Sequence, residues 1–487
     1  MTDNAATAAI EQFKEAMAGR DREAINRAAR ELIRLKTPLG KTWRSIATVL
    51  EKNGEHEDCF AALAIWSDQS GHLPMVLFEQ AGFHARAGRH RESEAFLGRI
   101  PPNLWDPIGL AYLRGTLATN FGDTEEAVQQ LRTAVTLDPT SGQSWLALAM
   151  AGGIDDNLTD RLVDSERFFA ERPALESTAY YYALGRVRHQ AKSHDAAFDA
   201  YTRGAALMRP ERPYNRAAQE EQAEQAMAAW TLDRVRELNR SAGEPSARQI
   251  VVTGLPRSGT TLTEQILASH SAVGEGAELN LMRLLQQDMG GASLSHLDSY
   301  LAGGGTVEGL RALYSHLLDQ RLPGNLRAID KTVPMSRSIG LIAALFPDAP
   351  IVWLRRDPAD CAWSIFSTFF LRGITWSWAL DDIAHFYNLE DRLFAHWTNL
   401  LGDRILVVPY GELVADPKDW IGRIDRHAGL EMEAGQLTPH LEKRVVSTAS
   451  ASQVREPINR KGIGSSAPYH QYMGPFLDAY LGKATTS

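Results

Sequence analysis

IVVTGLPRSGTTLTE, residues 250–264, decides how the second half of the chain is read. The β-branched run Ile250, Val251, Val252 and Thr253 meets Gly254, turns through Gly259 and enters a helix-forming stretch. Gly254 and Gly259 have the spacing of the phosphate-binding loop G-x-x-x-x-G-K-[ST], and Thr261 supplies its hydroxyl. Thr260, however, stands where that loop has its lysine. Backbone N–H groups from Arg257 to Thr261, at a helix N-terminus, make a cradle for a tetrahedral oxyanion. Ser258, Thr260 and Thr261 add hydroxyls, and Arg257 adds a flat charged fork suited to phosphate or sulfate oxygens. Without the lysine, and with no obvious Walker-B acid after an apolar strand, Mg²⁺-nucleoside triphosphate chemistry is poorly supported. A donor needing less charge compensation fits better.

Outward from the loop, the chain reads as a parallel α/β unit. Candidate strands are 249–253, 326–330, 350–355 and 404–408, followed by helical stretches at 260–269, 336–346, 359–370 and 418–429. Strands rich in Val, Ile and Leu that alternate with helices point to right-handed crossovers and a doubly wound sheet. Such sheets bind ligands beyond the C-terminal strand ends. Three further segments fall there: AIDKTVP (328–334), RRDPADCAWS (355–364) and VVPYGELVADP (407–417).

The first half has a different texture, Ala-rich and nearly free of strand-like runs. Gly19, Gly54, Gly88 and Gly122 stand 35, 34 and 34 residues apart and open matching phrases. Small residues five places on (Ala24, Cys59, Ala127) suit close packing of paired helices. The period and the glycine turns resemble the tetratricopeptide repeat, with a later copy at 193–211 and a degenerate one between. Stacked repeats of this kind form a solenoid whose concave face suits a peptide or partner protein. Residues 220–240 read as a long helix, and 241–247 as a Ser/Gly/Pro linker. The expected division is a helical repeat domain over 1–215, a connecting helix and linker over 216–247, and an α/β domain over 248–480.

Composition bounds the function. A chain of 487 residues is long enough for about two to four domains. Hydrophobic content of 44% and charged content of 23% are those of a soluble globular protein. A formal charge of −9 and a pI of about 5.9 argue against nucleic-acid binding but leave room for a local basic pocket. Two cysteines, Cys59 and Cys361, provide neither a disulfide framework nor a thiol zinc site. No membrane span is expected. The opening MTDNAATAAIEQFKEAM lacks the apolar core of a signal peptide, so a reducing cytoplasm is the expected compartment. His270 and His385 on helical stretches, and the Trp376, Trp378 and Trp397 patch, read as structural.

LPRSGTTL resembles the 5′-phosphosulfate loop of sulfotransferases that use 3′-phosphoadenosine-5′-phosphosulfate. Arg356 and Ser364 have the spacing of that family's 3′-phosphate segment, and Tyr410 that of its tyrosine-bearing corner near the nucleotide. The likeness covers most of 248–470 and is closest to the protein-tyrosine sulfotransferase branch and its bacterial relatives carrying tetratricopeptide repeats. It implies a helical repeat solenoid joined to a P-loop-like α/β sulfotransferase domain with a parallel sheet. It implies metal-independent, in-line sulfuryl transfer to an acceptor hydroxyl, with a protein or peptide tyrosine among the candidates. In GEGAELN (274–280) the family's catalytic base falls on Glu278. Its neighbours depart, since Ala277 and Asn280 replace a Glu and an Arg, and Glu275 is an off-register competitor. Lys331 and Arg257 fall on the charge-stabilising positions, and Ser450 on a late serine. The donor would be held by Arg257, Ser258, Gly259, Thr260, Thr261, Arg356, Ser364, Tyr410 and Ser450. The family's late basic residue falls in GIGSS (462–466), leaving Arg455, Arg460 and Lys461 as alternatives.

The resemblance leaves tyrosine, glycan, lipid and small-molecule acceptors open, and a homodimer as an open expectation. The glycine run 303–305 and the tail 455–470 read as covers over the site, from composition alone. Two other classes remain: a Mg²⁺-dependent kinase-like enzyme, and a repeat scaffold with a non-catalytic nucleotide sensor.

Overall fold

Four short runs of branched apolar residues make the strands: β1 Gln249–Gly254, β2 Ala328–Asp330, β3 Ile351–Arg355 and β4 Ile405–Pro409. They pair in parallel in the order β2-β1-β3-β4, with Val252 opposite Val352 and Leu354 opposite Val408. The computed structural model describes residues 2–101, 105–240, 248–274, 276, 278–333, 335–371, 373–442, 444–446 and 453–482. Every residue of β1 is buried, as a parallel sheet covered on both faces requires. Ile250, Val252, Ile266, Ile329, Leu354, Val408 and Ile421 build the core around it. The chain leaves β1 for β2 on one side, whereas β3 and β4 lie on the other. The topological switch point is therefore the crevice between the C-terminal ends of β1 and β3.

Helices Thr260–Ala268, Ile339–Leu345, Pro358–Phe366 and Pro417–Ala428 follow the strands. The third ends short of residue 370. There the hydroxyls of Ser367 and Thr368 turn back onto the carbonyls of Trp363 and Ser364 at 2.8 and 2.7 Å. The long helix expected over 220–240 is two, Arg216–Met227 and Leu232–Arg240. Between them Ala229 takes φ +62° and Trp230 turns inward, packing edge-on against Trp397 over Gly340. The stretch read as a linker, 241–247, lies outside the described residues. Trp376, Trp378 and Trp397 are core, as expected. His270 bonds the Glu431 carbonyl, and His385 bridges Tyr214 and Glu220, both structural. No helix among the described residues is long and apolar enough to cross a membrane.

By compactness the chain falls into two units, one of Met1–Leu113, Asn280–Gly291 and Ser299–Asn325, the other of Arg114–Leu279, Ala292–Asp298 and Leu326–Ser487. In the first, helices pair as Thr2–Gly19 with Arg22–Arg34, Thr42–Lys52 with His56–Gln69, and Pro74–Arg86 with His90–Gly98. Gly54 and Gly88 turn between partners at φ +81° and +78°. In the earliest pair the left-handed position falls on Arg20, one residue past Gly19. Helices Leu281–Met289 and Val307–Asp319 join this unit from the connection between β1 and β2. A Cβ at Gly54 would strike Leu317 and Leu284 at 2.7 and 2.8 Å, so only glycine lets them approach. The glycines 303–305 follow the end of helix Leu294–Ala302. The second unit carries helices Thr124–Leu137, Gly142–Met150, Asp156–Asp164, Ala174–Gln190 and His194–Glu211 before the sheet.

The first unit also carries an acid liability. His56 and His84 flank Phe60, their rings stacked on it at 6.3 and 4.1 Å, and the Nδ1 of each is buried with no partner among the described residues. Burial, with lesser repulsion from nearby arginines, pushes His56 down to about 3 and His84 to about 4. Both folded values lie below the unfolded one near 6.5, so the unfolded chain takes up these protons first. Their contribution is therefore complete above pH 6.5 and is lost as pH falls toward 4 and 3. Denaturant unfolding is expected to show a loss on the order of a few kcal/mol between pH 7.5 and 4. Most of that slope should vanish in a His56→Gln, His84→Gln double variant, and an unchanged slope refutes the assignment.

Candidate active site

The loop after β1 is built around two glycines. A Cβ at Gly254 (φ +145°) would lie 2.8 Å from the Leu354 carbonyl on β3 and from Ser258 Oγ. One at Gly259 (φ +110°) would lie 2.7 Å from the Tyr410 ring. Arg257, between them, holds φ +68°, which costs an L-residue about 1–2 kcal/mol. The first backbone bond closing the next helix runs from Thr263 N–H to Gly259 C=O, so the amides before it face out of the N-terminus. Ser258 turns inward and donates its hydroxyl to Leu255 C=O at 2.7 Å.

Beside the loop, at the switch point, lies a cavity of about 580 Å³. Arg257, Gly259, Thr260, Thr261, Arg356, Ser364 and Tyr410 line it, together with residues from the helices before the sheet. Arg257 Nε donates to Ser364 Oγ at 3.0 Å and its terminal nitrogen to Gln453 at 2.8 Å. Arg356 lies over the Tyr410 ring at 5.2 Å and donates to Arg257 C=O, Gly462 C=O and Ser465 Oγ at 2.8, 2.5 and 3.0 Å. Its Nε is buried with no partner among the described residues. Burial, and repulsion from Arg356 and Arg186, pull the Arg257 guanidinium down to about 10. Neither Arg186 nor Arg356 pairs with a carboxylate among the described residues.

Tyr410 is a plate between three elements, touching Gly259, Arg356 and Gly462, where an added Cβ would sit 2.5 Å from its hydroxyl. The late segment is pinned rather than loose. The Asp360 carboxylate accepts from the backbone amides of Gly464 and Ser466 at 2.7 and 2.8 Å and from the Ser466 hydroxyl at 2.8 Å. The tail thus forms a fixed wall of the cavity. Ser450 and Glu275 lie outside the described residues.

Glu278 and Lys331 form a second cluster. Asp330, ending β2, accepts from the amide and hydroxyl of Thr332 at 3.2 and 2.8 Å, a tight turn that sets Lys331 inward. The Lys331 ammonium, 1% exposed, lies 3.3 Å from Glu278 Oε1 and 3.4 Å from Glu264 Oε2. Glu278 reaches it because Gly276 lets the chain run against Ile329, 2.7 Å from where a Cβ would be. Burial works against the ammonium, but the two carboxylates outweigh it and Lys331 is held above its ordinary value. Burial raises Glu264, with Lys331 opposing. Glu278 is half exposed, so of the three it is the one an incoming group can reach.

The structure therefore joins Arg257, Arg356, Ser364 and Tyr410 around one cavity and Glu278 with Lys331 beside β2. Glu278, Lys331 and Ser258 are not among the cavity-lining residues. Sequence reading missed Glu264, Asp360 and Gln453. An acid in the otherwise apolar helix stretch after the loop was the available signal for Glu264. Asp360 resembles an ordinary first-turn helix acid until its partners, about a hundred residues on, are seen.

The chain is 28% identical over 376 residues to an uncharacterized protein of Aquifex aeolicus, covering 74% of this chain and 48% of that one. It thus spans about half the length of the curated relative it matches. Among solved structures it is similar to the sulfotransferase domain of a Synechococcus olefin synthase, with 21% identity, coverage of 46% and 89%, and a TM-score of 0.35. It is also similar to a sulfotransferase of Mycobacterium avium, with 14% identity, coverage of 66% and 97%, and a TM-score of 0.27. Residues 249–434 match the model of the Sulfotransferase family.

Proposed function

We propose that the protein transfers a sulfuryl group from 3′-phosphoadenosine-5′-phosphosulfate to an acceptor hydroxyl, in line and without a metal. The observation that carries this reading is the arginine-lined cavity at the switch point, with the Arg356 Nε buried and unanswered. A buried donor of this kind is costly unless a ligand acceptor meets it. The cationic cavity walls and the Gly259 cradle fit a ligand with two separate anionic groups. The amides of Gly259, Thr260 and Thr261 and the hydroxyls of Thr260 and Thr261 would hold the phosphosulfate, with Arg257 close by. Arg356 and Ser364 would grip the 3′-phosphate, with Tyr410 as their plate. When bound, the donor supplies the sulfuryl group, whose bond to the phosphate oxygen breaks as the bond to the acceptor oxygen forms.

Glu278 takes the acceptor proton in this reading. Lys331 orients that carboxylate, and its ammonium adds positive charge toward the departing oxygen. Glu264 holds Lys331 from behind. The acceptor we favour is a peptide or protein, its tyrosine included, docking on a repeat groove within 1–215, ahead of a connection at 216–247 and the sulfotransferase domain at 248–480. The 34-residue spacing of the glycine turns supports the groove. A homodimer and a reducing cytoplasm complete the proposal.

Calorimetry on the full chain tests it. Binding of 3′-phosphoadenosine-5′-phosphate is expected to be tight and indifferent to EDTA, and ATP and GTP with Mg²⁺ much weaker. Preference for a Mg²⁺-bound triphosphate would overturn the reading in favour of kinase-like chemistry.

A further inference from the structure

Resting on that donor reading, we infer that Arg186, from the helices before the sheet, is a second guanidinium on the donor's 3′-phosphate, beside Arg356. Arg186 lies on helix Ala174–Gln190 and lines the cavity together with His189 and Gln190. Those positions are three and four residues on, so they form one face of the helix. The guanidinium is anchored from behind, its Nε donating to Ala149 C=O at 3.0 Å. The rest of the fork is left for the cavity, with no carboxylate paired to it among the described residues.

The helix is held in register with the site at two points. Tyr182 OH donates to Phe366 C=O at 3.0 Å, at the end of the helix that carries Ser364. His189 Nδ1 meets Tyr469 OH at 2.7 Å, and Tyr469 stacks on Trp363 at 3.6 Å. Arg186 thereby lines the same cavity as Arg257 and Ser364. Arg186 and Arg356 both repel the buried Arg257 charge. Arg186 and Arg356, neither paired with a carboxylate among the described residues, line the cavity with Arg257, and a multiply charged anion would stabilise them.

The late cations offered by the sequence do not fill this role. Arg455 is spent on the carbonyls of Asn120 and Arg444. Arg460 donates to Ala415 C=O at the surface, and Lys461, although it lines the cavity, is tied to Glu456 at 2.6 Å. The cation that a basic residue in GIGSS would have supplied comes instead from far upstream. The helical half is then part of the donor site as well as a docking surface.

Calorimetric titration of the full chain with 3′-phosphoadenosine-5′-phosphate and with adenosine 5′-phosphate separates the cases. Arg186→Ala is expected to weaken the bisphosphate about 10- to 100-fold. Adenosine 5′-phosphate, which lacks the 3′ group, should change by less than about twofold, and Arg186→Lys should lose less than Arg186→Ala. Unchanged bisphosphate affinity, or a parallel loss on both ligands, overturns the inference. A wild-type chain that does not bind the bisphosphate at all refutes instead the donor reading on which it rests.

Discussion

Glu278→Gln is expected to lower turnover about 10²- to 10⁴-fold while leaving affinity for 3′-phosphoadenosine-5′-phosphate within about twofold. The separation follows from geometry. Glu278 does not line the switch-point cavity, so removing its charge should leave contacts made there intact. Glutamine keeps the size and the oxygen that faces Lys331 at 3.3 Å, so the segment should stay in place. It cannot take a proton from an acceptor hydroxyl. Single-turnover kinetics with saturating donor read the loss in the chemical step, and calorimetry reads the retained affinity. Full activity in the variant would remove Glu278 as the base. Loss of both rate and affinity would show that the segment shapes the donor site.

Lys331→Met is expected to destabilise the fold by about 3–5 kcal/mol. Lys331 is fully buried between two carboxylates, and Glu264 is nearly as buried as the lysine. Without the ammonium, the Glu264 carboxylate remains as an uncompensated charge on the helix that follows the oxyanion loop. Adding Glu264→Gln should recover most of the loss, because removing both members of a buried pair costs far less than removing one. The pH dependence has a definite sign. Burial already holds Glu264 above its ordinary value of 4.5, and losing Lys331 raises it further. A carboxyl raised in the folded state binds more protons there than when unfolded. The penalty therefore shrinks as pH falls toward 4.5 and is largest near neutrality and above. Denaturant unfolding of the single and double variants at pH 5 and 8 measures it. Equal stability of wild type and Lys331→Met would mean that the pair contributes nothing.

The four strands were legible because their runs of Val, Ile and Leu are buried on both sides, and a parallel strand needs little else. The loop was legible because Gly254 and Gly259 answer local demands, close approach to Leu354 and to the Tyr410 ring. What could not be read depends on distance along the chain. Asp360 acts through amides at 464 and 466, and nothing local marks it. Arg186 sits in a helix whose sequence, ALESTAYYYALGRVRHQ, reads as ordinary packing with a solvated arginine. Trp230 broke an expected helix because its burial depends on Gly340, more than a hundred residues later. The helices 281–289 and 307–319 cluster with the first unit through contacts at Gly54 that no local pattern announces.

The Asp360 clamp also sets an order of events during synthesis. Its carboxylate, and the Arg356 guanidinium beside it, are made long before the segment 462–466 that they bind. A nascent chain emerged only as far as Tyr410 has its sheet strands and its oxyanion loop, but one side of the cavity stands open to water. The cavity is thus walled only once residues 462–466 have emerged, and a ribosome-bound chain that stops short of them leaves it open.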